Sequence, residues 1–158
     1  MTFRLSQGSL RKLEGVHPLL VDVVKKALEH TRTDFGVIYG VRTLEEQKEL
    51  LEKGVSQTMK SYHLVQSDGY SHAVDLMAYV GPRSSWELSL YDDLADAMKI
   101  AAKEQGVHIR WGGAWTVNDI RIWDGTMEDA MNSYVDLRRS QGRRPFIDGP
   151  HFELRSLA

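Results

Sequence analysis

The sequence predicts an α+β fold. Apolar runs of strand length are interspersed with amphipathic helices, and none leads into the glycine pattern of a dinucleotide- or phosphate-binding loop. With 158 residues and no internal repeat or linker-like tract, residues 1–158 are expected to form one domain around one core.

Each element has its own signal. HPLLVDVVKKALEHT reads as a helix, with Pro18 in its first turn and Leu20, Val23, Val24, Ala27 and Leu28 on one stripe. DFGVIYG is a short strand. Thr43 and Glu46 form a capping box that starts LEEQKELLEK, and Gly54 closes that helix. HAVDLMAYV is a second strand. SLYDDLADAMKIAAKEQ places Leu90, Leu94, Ala97, Met98 and Ala101 on one face and ends at Gly106. VHIRW is a third strand and runs into the glycine turn of WGGAW. TMEDAMNSYVDLRRSQG is a helix capped by Thr126, with Met127, Met131, Tyr134 and Leu137 expected to face inward. FIDGPHFELRSL gives a turn and a final strand.

Composition narrows the function classes. Net charge is −2, so no bulk electrostatic signal points to nucleic acid or to an anionic membrane as partner. The densest basic group, Arg138, Arg139, Arg143 and Arg144, reads as decoration of a helix end. Cysteine is absent, which removes disulfides, thiolate metal ligands and thiol nucleophiles together. No apolar stretch reaches the length of a membrane span, and MTFRLSQGSLRKLEG lacks a signal-peptide core, so synthesis and folding in a cytoplasm are expected.

Any metal must therefore be held by His, Asp or Glu. Of six histidines, His17 and His30 fall at the two ends of a helix, as caps or surface residues, and His108 lies within a strand. His63, His72 and His151 remain. Along HAVDLMAYV, alternation sets Asp75 on the face of Ala73 and Met77, and His72 on the opposite face with Val74 and Leu76. A site that uses Asp75 should then exclude His72, whereas His63 comes from the preceding loop and is unconstrained. In DGPHFEL, His151 shares a face with Glu153 while Phe152 and Leu154 turn to the core, and the Gly149-Pro150 turn can fold Asp148 back toward His151. Two histidines and a carboxylate with one open position make a catalytic zinc site, and a further carboxylate nearby can serve as its general base. The competing reading is a polar loop beside a half-buried strand.

These residues resemble a known family. SYHL…SHAVDL is similar to the Ser-x-His…Ala-x-Asp signature of the zinc D-alanyl-D-alanine carboxypeptidase group, and DGPHFEL to its closing acid-x-x-His element. Asp148 in place of Glu resembles the phage endolysin branch, the L-alanyl-D-glutamate peptidases. GVRTLEEQ and RWGGAW also fall in the family's order, so the resemblance runs from about residue 15 to the C-terminus. It implies a small antiparallel sheet flanked by helices, of the hedgehog and D-Ala-D-Ala-peptidase type. It also implies Zn2+ held by His63, Asp75 and His151, with Asp148 as catalytic base. Arg42 falls where the family has an arginine that steadies the substrate or the developing oxyanion; a helix-start arginine with a structural partner is the alternative. Ser61 matches the signature serine, whose hydroxyl orients the site or binds substrate; a simple turn role is the alternative. Trp111 and Trp115 flank the Gly112-Gly113 turn as cleft walls or as core.

The chain departs from the family pattern in three places. His63 and Asp75 are twelve positions apart, more than is usual, and the extra length falls in the turn-forming VQSDGY, which can loop outward. Ala114 stands where relatives often carry an acid. The stretch 116–147 is long for the endolysin branch, and its helix is expected to flank or cover the cleft. The implied activity is hydrolysis of the L-alanyl-D-glutamate bond in peptidoglycan stem peptides by a monomeric lysin. Such a lysin accumulates in the host cytoplasm and meets the cell wall after the membrane is breached. The alternatives are a D-alanyl-D-alanine carboxypeptidase or dipeptidase at the same site, and a non-catalytic zinc-stabilised module; a retained general base argues against the last.

Overall fold

The computed structural model of the chain describes residues 3–56 and 59–156. Among the described residues, five strands form one sheet in which every strand pairing is antiparallel: β1 (Asp34–Tyr39), β2 (Ala73–Val80), β3 (Arg83–Ser85), β4 (His108–Trp111) and β5 (His151–Ser156). The strand order is β1-β2-β5-β4, with β3 paired to the end of β2. The helices are α1 (Gln7–Lys12), α2 (Pro18–His30), α3 (Leu44–Glu52), α4 (Leu88–Gln105) and α5 (Met127–Ser140), with a 3-10 turn at Ile120–Ile122. The α+β expectation is borne out. The elements α1, β3 and the 3-10 turn, of six, three and three residues, are too short to carry a period of their own.

Strand alternation divides the sheet into two unlike faces. Val74, Leu76 and Ala78 of β2 pair with Phe152, Val37 and Phe35, and Ile109 and Trp111 of β4 pair with Leu154 and Phe152; all belong to the core. Helices α2 and α4 supply the opposing apolar side through the predicted stripes, including Leu20, Val24, Leu94 and Met98. Burying one such Leu or Phe contributes about 1.5–3 kcal/mol relative to leaving it in water. The other face of the sheet carries Ala73, Asp75, His151, Glu153 and Arg110. Two apolar layers hold the strands in register, so the polar face comes prearranged.

Local signals behave largely as read. Thr43 and Glu46 make the reciprocal capping box, with both hydrogen bonds 3.1 Å long. Gly106 ends α4 at φ +69°, a conformation that glycine adopts without strain. His17 caps α2: its Nδ1 accepts the Leu19 N–H at 3.1 Å. His30 pairs with Glu104, and His108 Nε2 lies 2.8 Å from the Asn118 carbonyl. Helix α5 buries Met127, Met131 and Tyr134 as expected, but Leu137 is 44% exposed. The stripe stops at Tyr134, whose hydroxyl holds both the N–H and the carbonyl of Phe146 where the chain returns.

Two longer segments settle the departures noted above. Residues 65–70 form an exposed hairpin closed by the Gln66 N–H to Tyr70 carbonyl bond, with Gly69 at φ +88°, so the extra length does bulge outward. Helix α5 packs on α4 and does not line the cleft; only Phe146 and Ile147 beyond it do, which corrects the expected helical flank or lid. No helix among the described residues is long and apolar enough to cross a membrane.

The paired glycines of WGGAW have separate steric tasks. A Cβ on Gly112 would lie 2.3 Å from the Asp148 carbonyl oxygen and 3.1 Å from His151 Cβ; one on Gly113 would enter the Trp111 ring. Gly112 thus lets the 148–151 turn close onto β4, where Asp148 N–H donates to the Gly112 carbonyl at 2.9 Å and Gly112 N–H to the His151 carbonyl at 2.8 Å. Gly112→Ala should lower unfolding stability by about 1–3 kcal/mol, the usual cost of overpacking. Urea denaturation would read this as a lower midpoint at an unchanged slope.

Candidate metal centre

The β2–β5 register sets Asp75 directly opposite His151 and Ala73 opposite Glu153. Directly paired residues in antiparallel strands point to the same face, so the Asp75, His151 and Glu153 side chains project together over small Ala73. The third group, His63, arrives from the loop before β2 and is fixed at several points. Its N–H donates to Ser61 Oγ at 3.1 Å, its carbonyl accepts the Arg42 N–H at 2.9 Å, and its ring Nδ1 lies 2.8 Å from the Gly40 carbonyl.

Three potential donor atoms then converge. His63 Nε2 is 3.2 Å and His151 Nδ1 3.3 Å from Asp75 Oδ1, and one donor atom from each of the three residues lies within 4.8 Å of the others. Ligands about 2.0–2.1 Å from a tetrahedral ion stand about 3.3 Å apart, so both spacings to Asp75 suit one ion. The ring nitrogens facing away are also tied. Nδ1–H of His63 donates to Gly40, and Nε2–H of His151 donates to Glu153 Oε1 at 2.8 Å, which leaves Nε2 of His63 and Nδ1 of His151 as the lone-pair nitrogens. Outer hydrogen bonds of this kind fix tautomer and ring orientation in metal sites. The donor set is two imidazoles and a carboxylate, one short of a closed shell, and it fits a divalent ion with an open position.

Electrostatics support the same use. Burial disfavours the Asp75 carboxylate, yet hydrogen bonds and charge from His151 and His63 outweigh it and hold Asp75 well below its ordinary range. Burial likewise opposes charge on His151, but bonds to Asp75 and Glu153 push its pKa up to about 10. These bonds favour a proton on the His151–Asp75 pair, which an ion bound there has to displace. For Asp148, burial and the nearby Asp75 charge raise the pKa, against the pull of His151, His63 and Arg42.

These groups line an open cleft of about 970 Å³. Arg42 and Ser61 are on its wall, with Arg42 Nη1 donating to the Gln47 Oε1 at 2.7 Å and to Ser61 Oγ at 3.5 Å. Trp115 is also on the wall, its ring centroid 5.4 Å from that of His151 and 6.2 Å from that of Phe146. Trp111 is not. It is fully buried, stacks 6.3 Å from Phe152 and donates its Nε1–H to the Gly149 carbonyl at 2.7 Å, so the cleft-wall expectation is corrected. Its place in β4, one position after cleft-facing Arg110, sends it to the core. His72 stands apart with Asp68, 2.7 Å from its Oδ2, and with His17, as the strand alternation predicts. Alternation puts Glu153 on the correct face, but no spacing in the sequence signals its tie to His151. The Gly40 carbonyl carried no side-chain signal.

The chain is similar to known proteins along nearly its whole length. A sequence model of the family described as phage L-alanyl-D-glutamate peptidase matches residues 1–155. The chain belongs to that family. It is 28% identical over 158 residues to the L-alanyl-D-glutamate peptidase of Escherichia phage T5, covering 98% of this chain and 99% of that protein. To the L-alanyl-D-glutamate peptidase of Listeria phage A118 it is 34% identical over 76 residues, which are 48% of this chain and 24% of that protein. Among solved structures, the Serratia marcescens L-Ala D-Glu endopeptidase ChiX superposes with a TM-score of 0.69 at 32% identity, covering 96% of this chain and 90% of that one. The resemblance drawn from SYHL…SHAVDL and DGPHFEL is thereby borne out, and the chain is an enzyme of the peptidase class.

Because an ion must displace a proton from the His151–Asp75 pair, metal affinity should depend on pH. The raised His151 pKa keeps that proton bound below about pH 10, so raising pH from 6 to 8 should strengthen binding by roughly tenfold per unit for each proton released. Calorimetric zinc titrations in buffers of differing ionisation enthalpy would count the protons. Affinity that is flat with pH would mean that no proton leaves the His151–Asp75 pair when the ion binds.

Proposed function

We propose that this chain is a zinc-dependent peptidoglycan peptidase that hydrolyses the L-alanyl-D-glutamate bond of the stem peptide. In this reading residues 1–158 form one catalytic domain that acts as a monomer on the cell wall, as a lysin reaching it after membrane breach. His63 through Nε2, His151 through Nδ1 and Asp75 hold the ion. The reading is carried by one observation above all: both histidines have one ring nitrogen tied outward and the other turned to Asp75 Oδ1, at 3.2 and 3.3 Å. A buried polar cluster with no ligand would also pair its ring nitrogens; what favours an ion is the convergence of two of them on one carboxylate oxygen at ligand spacing.

When bound, zinc supplies Lewis acidity to the scissile carbonyl and acidifies the attacking water. The chain's own groups do the rest. Asp148, whose burial raises its affinity for a proton, takes the proton of the attacking water and passes it to the leaving amine of D-glutamate. The Arg42 guanidinium, steadied by Gln47 Oε1, offers its remaining N–H groups to the oxygen that becomes negative as the carbonyl is attacked. Ser61 holds the turn that presents His63. Trp115, with Phe146 behind it, walls the cleft beside His151 and excludes water from that side.

Zinc-loaded protein incubated with purified peptidoglycan should generate new D-glutamyl amino termini detectable by mass spectrometry. Asp148→Asn should keep zinc stoichiometry while lowering kcat by about 10²–10⁴, the usual contribution of a positioned base. Release of D-alanine instead would identify the carboxypeptidase alternative, and full activity of Asp148→Asn would remove Asp148 from the mechanism.

A further inference from the structure

Beyond the metal cluster, the cleft face of β4 and β5 carries a second charged group. Arg110 pairs with Glu153 across the β4–β5 register, and Arg155 lies two residues further along β5, so the three share a face. Glu153 divides its oxygens: Oε1 accepts from His151 and Oε2 accepts from Arg155 Nη1 at 3.1 Å. Each guanidinium sits over an aromatic ring, Arg110 5.1 Å from the Trp115 centroid and Arg155 5.0 Å from that of Tyr62. Arg110 donates Nε and Nη2 to the Trp115 carbonyl, and Arg155 donates Nη1 to the Tyr62 hydroxyl. Among the described residues, Arg110 Nη1 and Arg155 Nε and Nη2 have no acceptor.

On this part of the cleft wall two guanidiniums, of Arg110 and Arg155, share one neighbouring carboxylate, that of Glu153. Arg110 is held below its ordinary pKa by burial, partly offset by Glu153 and reinforced by the charge of Arg155, so the two guanidiniums lie within electrostatic reach. Such an arrangement suits an entering anion, because a stacked guanidinium presents its N–H fork to a carboxylate with little ordering left to do. Arg42 comes from the segment after β1, and its Nη1 is already engaged by Gln47 and Ser61.

The substrate of the proposed reaction offers a matching anion. In the stem peptide the D-glutamyl residue continues through its γ-carboxyl, so its α-carboxylate is free and bonded to the carbon next to the scissile nitrogen. Glu153 bonds His151 through Oε1 and Arg155 through Oε2, so a single side chain stands between Arg155 and the candidate metal cluster. We propose that Arg110 and Arg155 form the subsite for this α-carboxylate and make the enzyme selective for stem peptides in which it is free over those in which it is amidated. The inference rests on the reading under Proposed function.

The test uses two synthetic muropeptides that differ only at this position, D-isoglutamate against D-isoglutamine, with the zinc-loaded enzyme. Wild type should prefer the free carboxylate by about 10–100-fold in kcat/KM, the worth of a charge-assisted hydrogen bond. Arg155→Met should lose most of that preference by raising KM for the acid alone, and Arg155→Lys should restore part of it; zinc stoichiometry checks that each variant is folded. Equal cleavage of both substrates by wild type, or equal loss on both in Arg155→Met with zinc retained, overturns the subsite while leaving the proposed reaction standing. Failure of wild type to cut either substrate at the alanyl bond overturns both.

Discussion

Asp75 and His151 face each other across β2 and β5, and the candidate centre depends on that one register. A slip of a single residue would turn His151 and Glu153 into the core and bring Phe152 and Leu154 to the cleft. What prevents it is the apolar side of the same strands, where Val74 meets Phe152 and Ile109 meets Leu154 beneath α2 and α4. The polar site is thus specified by hydrophobic packing on the opposite face of the sheet. The same registers decide that Arg110 lines the cleft and Trp111 does not.

Burying two imidazoles and two carboxylates in one place is costly unless every group is paired. Here each one is. Gly40 takes His63, Glu153 takes His151, Asp75 stands between the two rings, and Arg155 takes the remaining oxygen of Glu153. The glycines serve this arrangement by absence of bulk. Gly112 admits the turn that carries Asp148, and Gly40 passes so close to Lys12 that a Cβ would lie 2.0 Å from its carbonyl oxygen. Because bonds to Asp75 and Glu153 favour a proton on His151, binding an ion there exchanges one positive charge for another.

Much of this was legible in the sequence, for reasons that differ by residue. Helices α2, α4 and α5 announce themselves by stripes long enough to outweigh local accidents, and the Thr43–Glu46 box marks the start of α3. Alternation along β2 separates Asp75 from His72 without any knowledge of the fold. Selecting His63 needed the family signature, because a loop residue carries no period. Trp111 was open to misreading although the signal was present: Ile109 and Trp111 share a face of β4, and that face is apolar. Leu137 was misread because its stripe continues in sequence after its packing partners have ended. The Gly40 carbonyl and the reach of Glu153 to His151 are products of tertiary approach, which no spacing encodes.

The account stands most directly on which atoms hold the ion. A crystal structure of the zinc-loaded protein, with anomalous data collected at the zinc edge, measures this without reference to activity. The prediction is one strong peak about 2.0–2.2 Å from His63 Nε2, His151 Nδ1 and an Asp75 carboxylate oxygen, with Gly40 and Glu153 still bonded to the opposite ring nitrogens. A peak bound to His151 through Nε2, or one seated between His72 and Asp68, would contradict it.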